Sequence, residues 1–197
     1  MTKTNWLENL RKTMTNKYRK RLKNAAYSAF FGLLMVGLST LKAYGQADTN
    51  AKIKSLFIYN FAKYVEWPVE MRDGDFVIGI LGDYPTLHSE LSVMAQTKTR
   101  GNQSFKITSY NSINDVGKCH ILFVEAGLSG QLPEVINLNT LKNTLIVGDG
   151  AGLAEEGAGI SFYDSQSKQK MEVNPANVEK YNLKISSQLL ALARVVN

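Results

Sequence analysis

Three short stretches of this chain carry almost no polar side chain. They are Phe76-Val77-Ile78-Gly79-Ile80-Leu81, His120-Ile121-Leu122-Phe123-Val124 and Thr144-Leu145-Ile146-Val147-Gly148. A strand with one wet face alternates apolar and polar residues. A continuous apolar run bounded by turn residues is buried on both faces, as in a parallel sheet covered by helices. The segments between fit that frame. Pro85 to Gln96 predicts a helix with proline in its first turn. Thr97 to Gln103 is a polar loop. Phe105 to Tyr110 alternates and reads as a strand nearer an edge. Ser129 is placed to cap a short helix to Leu138. Gly159-Ile160-Ser161-Phe162-Tyr163 and Lys170-Met171-Glu172-Val173 flank a polar turn and predict a hairpin. Asn174-Pro175 is a cap followed by proline, which starts another helix. Strands alternating with helices predict an α/β sandwich, with a mostly parallel sheet of about six strands and an antiparallel edge hairpin.

Ahead of the first strand, Ala51 to Val65 reads as a helix. Ile53, Leu56, Phe57, Asn60, Phe61 and Tyr64 fall on one face at a period near 3.6 residues. Asn60 stands within that stripe, so its amide is expected to tie down a neighbouring loop or chain end. Tyr59 is expected on the opposite, exposed face. Trp67-Pro68 ends the helix, because the residue before proline avoids the α region.

The N-terminus has the layout of an export signal. Lys17 to Lys23 is a basic run, Ala25 to Leu38 is apolar, and Ala43 and Gly45 are small residues before a cut at Gln46. The expected organisation is a signal peptide over 1–45, with Met14 as an alternative start, and one domain over 46–197. The apolar stretch is short for a membrane span. Residues 1–45 hold nine of the 23 basic and one of the 17 acidic residues, which leaves 14 basic against 16 acidic residues in the domain. The net charge of +6 therefore belongs to the signal. A domain at about −2 has no basic field to attract nucleic acid. Its lone cysteine, Cys119, has no intrachain partner, so packing alone must hold the fold.

Few constellations suggest chemistry. Gly148-Asp149-Gly150-Ala151-Gly152 follows a strand and resembles a phosphate-cradling loop. It lacks the dinucleotide spacing, and no Gly-Lys-Ser/Thr follows. A tight turn explains it better, with Gly148, Asp149, Gly150 and Gly152 kept as a weak ligand candidate. Adjacent Cys119 and His120 point to opposite sheet faces and cannot form a catalytic couple. A metal site is not expected. Asp73/Asp75 and Glu155/Glu156 read as solvated turn charge. There is no Gly-x-Ser-x-Gly elbow and no Ser-x-x-Lys pair. Nothing demands an enzyme or a cofactor.

The last residues differ. From Ile185 to Val196 the only charge is Arg194. Ile185, Leu189, Leu192, Ala193 and Val196 form one stripe of a predicted helix, and Leu190 and Val195 widen it. Such a helix needs either a deep core or a partner.

Four segments carry a family resemblance. They are Phe57-Ile58-Tyr59-Asn60-Phe61-Ala62-Lys63-Tyr64-Val65-Glu66-Trp67-Pro68, Ile78-Gly79-Ile80-Leu81-Gly82, Lys118-Cys119-His120-Ile121-Leu122-Phe123 and Leu183-Lys184-Ile185-Ser186-Ser187-Gln188-Leu189-Leu190. Together they resemble the YfiR family of periplasmic proteins over essentially all of Ala51 to Val196. The resemblance implies a Rossmann-like three-layer fold and a homodimer. It also implies a role as periplasmic repressor of an inner-membrane diguanylate cyclase, with possible sequestration by an outer-membrane lipoprotein. Cys119 matches a cysteine that is disulfide-bonded in the family's best-known member, and here it has no partner.

The expectation is therefore a non-enzymatic periplasmic regulator acting by protein contact through the terminal hairpin and helix: Phe162, Glu172, Gln188, Leu190 and Arg194. The alternative is a small-ligand sensor acting on a membrane sensor kinase.

Overall fold

The computed structural model describes residues 49–197. The expected export signal and its cut before Gln46 lie outside them.

Helix α1 covers residues 49–64 and runs into a two-residue strand, β1 (Val65–Glu66). The main sheet follows with β2 (Phe76–Leu81), helix α2 (Pro85–Thr97), β3 (Thr99–Arg100) and β4 (Gln103–Tyr110). After β5 (Ile121–Val124) come a 3-10 turn at Ala126–Gln131 and helix α3 (Leu132–Val135). Then come β6 (Leu145–Asp149), β7 (Ile160–Ser165), β8 (Lys168–Val173), α4 (Pro175–Lys180), β9 (Lys184–Ile185), α5 (Ser187–Leu190) and β10 (Arg194–Val195). The sheet order is β10-β8-β7-β6-β5-β2-β4-β3. Strands β4, β2, β5, β6 and β7 are parallel, and β8 turns back antiparallel on β7. This is the expected mostly parallel α/β sheet, with six full strands and two-residue strands added at each edge.

The apolar runs are buried on both sides. Ile78, Ile80, Ile121, Phe123, Leu145 and Val147 meet Ile58, Phe61 and Ala62 of α1 and Leu87 and Leu91 of α2. The alternate residues Leu81, Leu122, Val124 and Ile146 meet Leu132 and Val135 of α3, Leu141 and Leu153. Three layers result. The β7–β8 hairpin closes through Gln166 and Ser167, both at positive φ (52° and 59°), the two-residue turn whose twist suits a hairpin. Asn174 caps α4, accepting from the Asn177 amide at 3.1 Å.

Four local expectations are corrected. The packed face of α1 is Ala51, Lys54, Ser55, Ile58, Phe61 and Ala62, rotated from the predicted stripe. Leu56 is 57% exposed and Asn60 only half-buried, while Lys54 and Ser55 are the polar residues of this helix that are buried, Lys54 bringing a charge. Tyr59 is half-buried, edge-on to Phe105 at 6.0 Å. Ser129 is not a cap. The turn starts at Glu125, whose carboxylate accepts from the Gly127 amide at 2.9 Å.

The fourth correction is the tail. Instead of one helix from Ile185 to Val196, Ser186 caps a single turn, α5, and the chain ends as a strand beside β8. Only Leu189 of the stripe is fully buried, and Leu192 is 63% exposed. A longer helix would leave the outer edge of β8 unpaired and the buried Glu172 without its cation. The β-branched pair Val195-Val196 also suits an extended chain.

The β1–β9 pair, Val65 opposite Ile185, staples the end of α1 to the C-terminal region. Arg100 secures the same corner, donating to the Ala62 carbonyl at 2.7 Å and lying 5.0 Å over the Trp67 ring. A cation at a helix C-terminus also matches the helix dipole.

Candidate partner-binding surface

Glu172 organises the C-terminal edge. It sits on β8 between Met171 and Val173 with no exposed surface. A buried carboxylate must be hydrogen-bonded and paired. Its Oε2 accepts from the Gly152 amide at 3.0 Å and from the Ser161 hydroxyl at 3.0 Å. Its Oε1 takes the Arg194 guanidinium. One carboxylate thus joins the β6–β7 loop, β7 and the C-terminal strand. The Arg194 side chain is itself 58% exposed and lies 5.4 Å over the Tyr163 ring.

The structure brings Glu172 and Arg194 together and separates the other expected contact residues. Phe162 does not reach the surface. It has no exposed area and stacks on Phe61 with ring centroids 5.8 Å apart. On β7, the alternation turns Ile160 and Phe162 to the α1 face and leaves Ser161 for Glu172. Gln188 is exposed on α5, and Leu190 is half-buried against the main core. Two of the large apolar side chains more than half exposed among the described residues lie here, Leu192 and Val195.

The Gly148–Gly152 turn stands at the carboxyl ends of the parallel strands, where open α/β sheets hold ligands. Its groups are engaged within the chain. A side chain at Gly148 would come 2.7 Å from Leu153, which also lies close over Gly150. Gly152 adopts φ +82° and gives its amide to Glu172. Asp149 receives Lys54 Nζ on both oxygens at 2.7 Å. Burial raises the Asp149 pKa and Lys54 opposes that shift, while Glu125 and Asp164 add to it. Lys54 also lies 5.2 Å over the Tyr84 ring, whose pKa is raised chiefly by burial. Sequence reasoning missed Lys54. Its signal was its place in the 51, 54, 58, 61 repeat.

Cys119 and His120 are structural. Burial pushes the Cys119 thiol up to about 12. His120 Nδ1 accepts from the Val77 amide at 3.0 Å, so Nε2 carries the proton and donates to the Met71 carbonyl at 2.7 Å. Burial lowers its pKa. Among the described residues no group of three or more His, Cys, Asp or Glu is placed to hold a metal ion. An open polar hollow of about 590 Å³ at the opposite end of the sheet is lined by Ile136, Lys142, Tyr181 and Asn182, and by none of the expected site residues.

These features define an α/β domain whose distinctive polar centre fastens its own edge strand. The sequence profile described as YfiR/HmsC-like matches residues 51–194, and the chain belongs to that family. The family comprises periplasmic regulators of diguanylate cyclases that interact with partner signalling proteins, a regulatory rather than a catalytic group. No helix among the described residues is long and apolar enough to cross a membrane. Comparison with curated proteins gives no significant match.

Two solved structures are similar at 13% identity. One is an ABC domain in complex with L-Trp from Streptococcus pneumonia, with TM-score 0.45 and coverage of 61% of this chain and 55% of that one. The other is a conserved domain protein from Vibrio cholerae O1 biovar El Tor, with TM-score 0.48 and coverage of 62% and 55%. The chain thus spans about half the length of each.

Proposed function

We propose that this protein is an exported, non-enzymatic regulator, cleaved before Gln46, that binds the periplasmic part of an inner-membrane signalling protein and represses a diguanylate cyclase. Family membership supports the class of partner. The observation that carries the choice of surface is the C-terminal edge. Exposed Leu192 and Val195 stand beside a cation whose counter-ion is wholly buried. Apolar side chains beside an exposed arginine that a buried carboxylate holds in place match the aromatic, aliphatic and arginine composition of interface centres. Gln188 flanks this patch, and a second copy of the chain is a further occupant of the same reading.

The test is capture of membrane proteins by the mature domain, with Leu192→Asp and Gln188→Lys as variants. Both side chains are in solvent, so circular dichroism should stay native while capture falls. In cells holding the cyclase, cyclic-di-GMP should rise. Folded variants that still capture and repress fully would place the contact elsewhere.

A further inference from the structure

The strand that covers β8 is short. Arg194 and Val195 pair with Glu172 and Val173 in parallel register, and the Val196 amide donates to the Val173 carbonyl at 2.9 Å. Strand β8 itself begins at Lys168. Its outer edge over Lys168–Met171 has no strand beside it among the described residues, because the residues before Arg194 turn away into α5. The chain's own tail therefore uses one third of the available edge.

The side chains along that edge specify what would use the rest. Lys168, Lys170 and Glu172 alternate on one face of β8. In the observed register, the residue opposite Glu172 is a cation, and its positive end also meets the Tyr163 ring. The positions two and four residues earlier would lie opposite Lys170 and Lys168, both exposed. The tail offers Leu192 and Leu190 at those offsets, and neither is opposite the lysines. An acidic residue at each would complement them, since opposite charges across neighbouring strands attract.

We propose that the outer edge of β8 is a strand-acceptor site closed by the chain's own C-terminus. Its exchanging occupant is an extended segment of a partner protein with the pattern acid-x-acid-x-Arg/Lys followed by a β-branched apolar residue. Addition of a strand to an open sheet edge takes affinity from main-chain bonds and specificity from alternate side chains. The tail competes for two positions, and the partner gains six. This rests on the partner-contact reading above and names the chemistry of that partner.

The test uses a labelled synthetic peptide, Glu-Thr-Glu-Thr-Arg-Val-Val, on the mature full-length protein. Arg194→Ala frees the tail from Glu172, and because the apparent affinity scales with the open fraction, it should tighten peptide binding on the order of tenfold. Hydrogen exchange at residues 194–196 should quicken in the same variant. Lys168→Glu/Lys170→Glu, on exposed positions, should abolish binding without unfolding. A peptide with Glu in place of Arg should fail. No gain in binding by Arg194→Ala despite faster exchange, or indifference to the lysine reversals, would overturn the proposal. So would a tail-exchanged dimer in place of peptide capture, which would assign the edge to a second copy. Peptide binding without capture of any membrane protein would instead remove the function proposed above and leave the acceptor edge standing.

Discussion

Lys54 Nζ lies 2.7 Å from both carboxylate oxygens of Asp149, joining the first helix to the end of the fourth parallel strand. Both side chains are nearly removed from solvent, at 8% and 15% exposure. Breaking such a pair leaves one charge buried alone, which costs about 3–5 kcal/mol. Lys54→Met should therefore lower the urea midpoint sharply. Lys54→Met/Asp149→Leu should recover most of the loss, because an apolar pair of similar volume leaves no orphan charge. A double variant as unstable as the single one would show that the pair is not the cause.

Phe162→Ala should cost about 3–5 kcal/mol, as large aromatic truncations in packed cores do. The ring is enclosed by Phe57, Phe61 and Phe123. Denaturant unfolding measures this. A stable Phe162→Ala protein with selectively lost partner binding would return the residue to the interface.

His120 makes stability depend on pH. Its neutral form is the one that accepts from Val77 while donating to Met71. Burial depresses its folded pKa below the ordinary value of 6.5. A histidine held neutral contributes fully above its unfolded pKa, and that contribution is lost as pH falls from about 6.5 through the folded pKa. The melting temperature should drop between pH 7.5 and pH 5. In His120→Gln the part of that drop due to imidazole should vanish, on a lower starting stability.

Cys119 should be inert while the protein is folded. A thiol pushed up to about 12 has almost no thiolate at neutral pH. Thiol reagents should label it only with global unfolding. Cys119→Ser should cost on the order of 1 kcal/mol and be insensitive to reductant. Fast labelling of native protein would contradict the burial.

The central sheet was legible because its evidence is compositional. Runs such as Ile121 to Val124 have no polar residue to place in water, so both faces must be covered. The hairpin and the Asn174 cap were legible because turn and cap chemistry is local. The phase of the first helix was not. Leu56 and Lys54 exchange the places their hydrophobicity suggests, because Asp149 waits some 95 positions along the chain to receive the lysine. Asn60, read as a structural amide, is only half-buried. The tail failed for the same kind of reason. Its periodicity favours a helix, while an open strand edge and the carboxylate of Glu172 pull it straight, and neither is visible within the tail. Of the expected contact residues, Glu172 and Arg194 come together, and Phe162 goes to the core.

The Val65–Ile185 pairing ties together positions about 120 residues apart. The corner where α1 ends can be closed only when almost the whole domain has been made. Until then the apolar face of α1 lacks its final cover, and contacts this distant in sequence form late because long loops must close first. A chain built this way stays unfinished through most of its synthesis. That delay would suit the export proposed above, in which the chain is threaded unfolded through a narrow pore before it settles.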